Sequence, residues 1–305
     1  MEFFKHNTQI DFMAKRKWAA IFSVLICSIS FIILFVNGLQ WGLEFTGGTE
    51  VHIAFAKPAN LDEIRQTMLQ QGYKDVSVQT YGPVTNAMVR LSGELDMHQQ
   101  TISEQVSNAL PEAKILSVNY IGPQVGKELA TDGALALFVA MLGTAIYIAL
   151  RFEYRFAISA MVALIHDPIV ILGAFSLFQI EFDLISLAAI LTVIGYSLND
   201  TIVVFDRVRE NFRYLRKADA AEIVNLSVNQ TLSRTIMTSG LTLLAVISLF
   251  FFGGQVLHGF STALMIGIII GTYSSIYVAG ALAVKLGLSR QDLTPAVSKN
   301  DPHMP

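Results

Sequence analysis

Cysteine is all but missing. The one thiol, Cys27, lies inside an apolar run, so no disulfide framework and no cysteine metal site can form. Charge is scarce too. Charged residues make up 15% of the chain, against about a quarter in soluble domains. The net charge of −3 supplies no basic surface and excludes nucleic acid as a partner. Also absent are a phosphate-binding glycine loop, a nucleophile elbow and an H-E-x-x-H pair. ATP hydrolysis, acyl transfer and zinc hydrolysis are thereby excluded, and no enzyme activity, metal or cofactor is expected.

What the chain has in quantity is apolar sequence. Hydrophobic residues reach 53% and mean hydropathy is +0.51, which describes an integral membrane protein carrying some polar mass. Six runs are long enough to cross a bilayer, which takes roughly 20 apolar residues as a helix. They are 18–39, 133–150, 156–178, 184–205, 235–252 and 261–284. The first is too long for a signal-peptide core and no cleavage site follows it, so it reads as an uncleaved anchor. Residues 1–17 are short and basic. The tail, 287–305, is polar and reads as disordered.

Residues 40–130 contain no spanning run. Val51, Ile53 and Phe55 alternate as in a strand. Asn60 opens a helix with a box-like Glu63, and Gly72 ends it. Val76–Tyr81 alternates again, Gly82–Asn86 is turn chemistry, and Ala87–Leu91 is another strand. Asp96 caps a second helix bearing Ile102 and Val106, and Ile115–Ile121 closes the series. The order β-α-β-β-α-β predicts a ferredoxin-like α+β domain.

Lys and Arg orient the spans. Arg151 and Arg155 join runs two and three; Arg207, Arg209, Arg213, Arg216 and Lys217 join four and five; Lys285, Arg290 and Lys299 follow six. Residues 179–183 and 253–259 contain none. Both termini are thus expected in the cytoplasm, with the α+β domain on the other side.

The fourth run holds Asp200 beside Asn199 near its end. A carboxylate within a span costs on the order of 3 kcal/mol and usually marks ion or proton movement. Thr192, Tyr196 and Asn199/Asp200 recur at helical spacing, and their face is expected to look into the bundle. Asp206 lies at the edge, where interface solvation and function are both open. Arg234 begins the fifth run and forms a polar line with Thr238 and Thr242. It reads either as a flanking charge or as a partner within reach of Asp200. Its charge would favour the ionised acid while burial favours the neutral one, so a pair that opens and closes can load and release a proton. His166-Asp167-Pro168 sits midway along the third run, as part of a proton path or as a buried structural pair. Gly267, Gly271 and Ser275 step by four along the sixth run and suit close helix packing, against this chain or a partner subunit.

Several stretches carry a family resemblance. They are Gly42-Leu-Glu-Phe-Thr-Gly-Gly-Thr49, Ile121-Gly-Pro-Gln-Val-Gly-Lys-Glu128, Gly195-Tyr-Ser-Leu-Asn-Asp-Thr201, Val204–Asn211 and Ser233-Arg-Thr235. From first span to sixth the chain resembles the SecF family of protein-export subunits, within the RND-like superfamily. The resemblance implies a six-helix half bundle in the bacterial inner membrane that pairs with SecD. It implies assistance to the SecYEG channel and its motor SecA in exporting an unfolded preprotein, driven by the proton gradient. It implicates Asp200 and Arg234 in proton transport, and makes Phe45-Thr46-Gly47-Gly48-Thr49 the start of a periplasmic domain that moves as a unit. Two rival functions remain open at this level: half of an RND-type exporter of small molecules or lipids, and a non-conducting scaffold for SecD.

Overall fold

The computed structural model describes residues 9–73, 75–92, 99–215 and 217–289. The expected Asp96 cap, the Lys5, Arg216, Arg290 and Lys299 charges and the tail from residue 290 lie outside these.

The first spanning helix, α1 (Arg16–Asn37), ends at Gly38, whose φ of 68° suits only glycine. A two-residue strand, β1 (Gln40–Trp41), and a single helical turn, α2 (Leu43–Thr46), follow. The chain then enters the α+β domain as β2 (Gly48–Ala54), α3 (Leu61–Gln70), β3 (Asp75–Thr80), β4 (Asn86–Ser92), α4 (Gln99–Ala109) and β5 (Lys114–Ile121). All pairings in its sheet are antiparallel, in the order β3-β4-β2-β5. That is the ferredoxin-like arrangement, with β4 inserted between the two strands of a split βαβ unit. Val51, Ile53, Val89, Leu91, Ile64, Met68, Ile102 and Val106 fill the space between sheet and helices. The opposite sheet face is polar. At Asn60 only half of the expected box forms: its side chain accepts from the Glu63 N–H at 3.4 Å.

Five long helices complete the bundle: α5 (Pro123–Arg151), α6 (Tyr154–Phe178), α7 (Leu184–Tyr214), α8 (Ala220–Phe252) and α9 (His258–Tyr273). The last continues through a π-helical turn, Ser274–Ala279, into α10 (Gly280–Lys285). Three helices outrun the apolar runs that announced them. α5 starts ten residues early because Pro123 suits a first helical position. α7 runs on to Tyr214, and α8 starts at a full capping box between Asp219 and Glu222. Apolar length marks only the part of a helix that lipid can cover.

α6, α7 and α9 form the buried centre of the bundle, while α1, α5 and α8 are largely exposed along their flanks. Between α6 and α7 lies β6 (Glu181–Phe182), which pairs in parallel with β1.

Candidate functional site: two buried acids in the helix bundle

The stripe of small residues decides how α9 sits. A Cβ on Gly267 would strike Val193 of α7, and one on Gly271 would stand 3.0 Å from the Ser197 Cβ. Ser275 continues the line: its hydroxyl lies 2.8 Å from Thr201 Oγ1 and donates to the Ser197 carbonyl at 3.2 Å. Val193, Ser197 and Thr201 are themselves spaced by four, so two small-residue ridges meet within this chain.

That contact builds the first acid site. Asp167 on α6 is 1% exposed. Its Oδ2 accepts from Ser197 of α7 at 2.5 Å and from Ser274 of the π turn at 3.0 Å. Its Oδ1 accepts from His166 Nδ1 at 3.0 Å. His166 Nε2 is buried and has no hydrogen-bond partner among the described residues. Pro168 stays inside α6, so the Leu164 carbonyl has no backbone N–H to accept from four residues on.

The second site is Asp200 on α7, 3% exposed. Its Oδ2 is buried without a hydrogen-bond partner among the described residues. Ser239 of α8 approaches the carboxylate, and Arg234 acts on it through space. Ser239 Oγ also accepts from Tyr196 at 3.3 Å and lies 2.9 Å from Thr272 Oγ1 of α9. One hydroxyl, that of Ser239, thus approaches the carboxylate, and the nearest cation acts on it only through space.

Two expectations need correction. The polar face of α7 does not turn wholly inward: Thr192 and Asn199 are exposed, Tyr196 is half-buried and Asp200 is buried. Arg234 is exposed as well, and among the described residues no ion pair joins it to Asp200. The reason is helical geometry. Ser239, the α8 residue facing Asp200, is five positions on from Arg234, which places the two about 140° apart around the helix. Thr238 and Thr242 share the Arg234 side, and their hydroxyls bond back to α8 carbonyls.

Asp206 is separate from both sites. It pairs with Arg151, the last residue of α5, at 2.8 Å and with Arg209, one turn on in α7, at 3.7 Å, about half exposed.

The Phe45–Thr49 stretch leads into the α+β domain at the other end. Gly47 (φ 65°) and Gly48 (φ 118°) take backbone conformations that side chains resist. A Cβ on Gly126 of α5 would stand 2.8 Å from the Gly47 nitrogen, so both glycines are needed for the close approach. Phe45 stacks on Phe182 at 5.8 Å, and Trp41 meets both rings edge-on. Thr46 closes α2 on the Gly42 carbonyl at 3.1 Å, and Thr49 is buried.

A third buried ionic cluster had no sequence forecast. Arg90 of β4, on the polar sheet face, pairs with Glu50 of β2 at 2.9 Å and with Glu181 of β6. His52 donates to Glu50 at 2.7 Å. Burial opposes ionisation of Glu50, but hydrogen bonds from His52 and Arg90 outweigh it and hold its carboxyl below the usual value. At Glu181 burial wins over the attraction of Arg90, and its carboxyl is raised. The signal for this cluster was one charged residue, Arg90, within the otherwise apolar stretch Ala87–Leu91.

Known proteins with this geometry are plain. Residues 101–289 match the profile described as protein export membrane protein SecD/SecF, C-terminal, and residues 32–59 match the SecD/SecF GG motif. The protein translocase subunit SecF of Vibrio alginolyticus is 48% identical over 296 residues, covering 95% of this chain and 94% of the relative. Its counterpart in Pseudomonas aeruginosa is 44% identical over 297 residues, covering 95% and 96%. Among solved structures, SecDF of Thermus thermophilus, a translocon-associated membrane protein, aligns with a TM-score of 0.85 and 34% identity; the match covers 93% of this chain and 39% of that one. SecDF in a super-membrane-facing form aligns at 0.69 with 33% identity and the same coverage. The chain belongs to the SecD/SecF family of protein-export membrane proteins, as a translocase subunit of the SecF type.

Proposed function

We propose that this chain is the SecF-type half of a proton-driven accessory to protein export, with Asp200 as its proton carrier. The observation that carries the reading is the Asp200 carboxylate: inside a spanning helix, 3% exposed, with Oδ2 lacking a partner. Such a group has few reasons to exist other than movement of charge. Arg234 is the modulating cation. It is exposed on α8, as Thr192 and Asn199 are on α7, on a surface that otherwise suits lipid. A SecD-type half covering that surface would bring Arg234 into a low-dielectric space where its field on Asp200 strengthens. The solved SecDF chains, far longer than this one, support a second half as that cover.

Orientation follows from Arg151, Arg155, Arg207, Arg209, Arg213 and Lys217 at one end of the bundle. That end, with both termini, faces the cytoplasm of a bacterial inner membrane, and the α+β domain works in the periplasm on an unfolded preprotein leaving SecYEG, where SecA acts from the other side. Moving one charge inward across about 100 mV releases about 2.3 kcal/mol. That shifts a two-state equilibrium roughly fifty-fold, enough to re-tilt helices and displace the domain. The unequal fit to the two SecDF forms, 0.85 and 0.69, supports a chain with more than one arrangement. Membership in a protein-export family sets the small-molecule exporter aside.

The test uses vesicles holding this chain with its SecD-type partner. Asp200→Asn is expected to abolish proton flux and to cut gradient-dependent export at least tenfold; Arg234→Met is expected to weaken both. Full gradient-dependent export from Asp200→Asn would overturn the reading in favour of a scaffold.

A further inference from the structure

We propose that Arg90, clamped between Glu50 and Glu181, is the joint through which movement of the α6–α7 hairpin reaches the α+β domain. This rests on the proposed function above, since it names the part that transmits the motion.

The joint has three layers. On top is the polar face of the domain's own sheet, where Arg90 and Glu50 are register partners on neighbouring strands. Beneath it runs β1, and beneath that the external end of the hairpin, β6, hydrogen-bonded to β1. Arg90 crosses all three. One terminal nitrogen donates to the Trp41 carbonyl of β1 at 2.7 Å. The other donates to Glu50 at 2.9 Å and to Glu181 of β6. A glutamine ladder repeats the path: Gln79 of β3 donates to Gln40 at 2.7 Å, and Gln40 donates to Gln179, at the end of α6, at 2.9 Å. The Gly42 N–H donates to the Phe182 carbonyl at 2.9 Å, locking the middle layer to the lower one.

The position gives the joint its role. Glu181 sits at the bend between the two helices that carry Asp167 and Asp200. Helix runs from Asp167 to the α6 end at Phe178 and from the α7 start at Leu184 to Asp200, about 17 and 24 Å at 1.5 Å per residue, and Glu181 lies in the short bend between them. A tilt originating at either acid therefore arrives at Glu181. The covalent connections to the domain come from α1, through Gly38–Gly47, and lead into α5, through Gly122, so neither joins it to the α6–α7 hairpin. Arg90 is also 9% exposed, with Glu50 buried and Glu181 partly buried, and a guanidinium holds a fixed fork where an ammonium would swivel. The geometry is that of a rigid coupling.

Glu181→Gln separates this from general stability, because it removes only the charge between the modules and leaves Arg90–Glu50 and the Trp41 contact in place. The chain, with Cys27 replaced by Ala and with its partner half, carries spin labels at Lys57 and Val256. Glu181→Gln is expected to broaden the distance distribution between them, to keep proton flux within twofold, and to lower gradient-dependent export at least fivefold. Glu181→Ala is expected to go further in the same direction. An unchanged distance distribution, or flux and export falling in equal proportion, would overturn the joint. Loss of flux in Asp200→Asn is read separately, so failure of the proton reading and failure of the joint have different signatures.

Discussion

Two groups of buried acid in this molecule meet different company. At the junction Glu50 and Glu181 face a full positive charge on Arg90, with further hydrogen bonds from His52 and to Trp41. In the bundle Asp167 faces two hydroxyls and an imidazole, and one oxygen of Asp200 faces nothing that donates. A buried acid held by a fixed cation keeps its charge and fixes geometry. A buried acid held by hydroxyls has donors that rotate, so its charged and neutral forms are both served. One group maintains a shape; the other is able to change state. The chain puts one at the bend of the α6–α7 hairpin and the other midway down its two helices.

The sharpest way to break this contrast is to remove the cation. Arg90→Met strands Glu50 and Glu181 without a counter-charge, and breaking a buried pair from one side costs about 3–5 kcal/mol. The expected result is loss of protection across β2 and β4 in hydrogen exchange, with α6 and α7 little affected. Equal loss in both regions would show that the domain and the hairpin are not separately stabilised.

A smaller effect is expected in the bundle. Asp167→Asn retains an oxygen for the Ser197 and Ser274 hydroxyls and turns an amide donor toward His166. The imidazole answers by moving its proton from Nδ1 to Nε2, the atom that has no partner now. The change costs about 1–3 kcal/mol, the scale of one mismatched buried hydrogen bond. Nitrogen NMR of His166 reads the tautomer directly. A destabilisation as large as that of Arg90→Met would mean that Asp167 is held as rigidly as the junction acids and that the contrast fails.

How much of this was legible from residues alone depends on the kind of signal. Apolar length located six spans, and alternation with Gly72 and Gly82 punctuation drew the ferredoxin-like order, because both are local and repeated. Asp200 stood out through the cost of its burial. The direction of Arg234 did not, since whether a residue at the edge of a span points in or out depends on which neighbour wins the inner face, and here Ser239 did. The four-residue step from Gly267 to Ser275 revealed the packing ridge but concealed the π turn, which adds its extra residue without altering composition. The β1–β6 pair was invisible: two residues at 40–41 meet two at 181–182, and neither stretch has a pattern of its own. Arg90 was hidden for the same reason, because its partners are 40 and 91 residues away.

The finest separation lies within the junction itself, between its two glutamates. Glu181 has its carboxyl raised, first by burial, with Arg90 offsetting only part. Its charged form is therefore less favourable in the folded protein than in the unfolded one. That penalty is present at neutral pH and disappears as pH falls through the raised value. Glu50 is the reverse: lowered by His52 and Arg90 despite burial, it contributes stability above its unfolded value that is lost as pH falls through the lowered one. Glu181→Gln is thus expected to leave the thermal midpoint unchanged or slightly higher at pH 7, and Glu50→Gln to lower it. The two curves should rejoin wild type at different places: Glu181→Gln converges as pH falls through the raised value and meets wild type in the ordinary carboxylate range, whereas Glu50→Gln meets it only below that range. Melting curves of the two variants across pH check this, and a Glu181→Gln midpoint well below wild type at pH 7 would mean that the inter-module charge serves stability. Neutrality there together with loss of coupling is what a buried pair kept for geometry looks like.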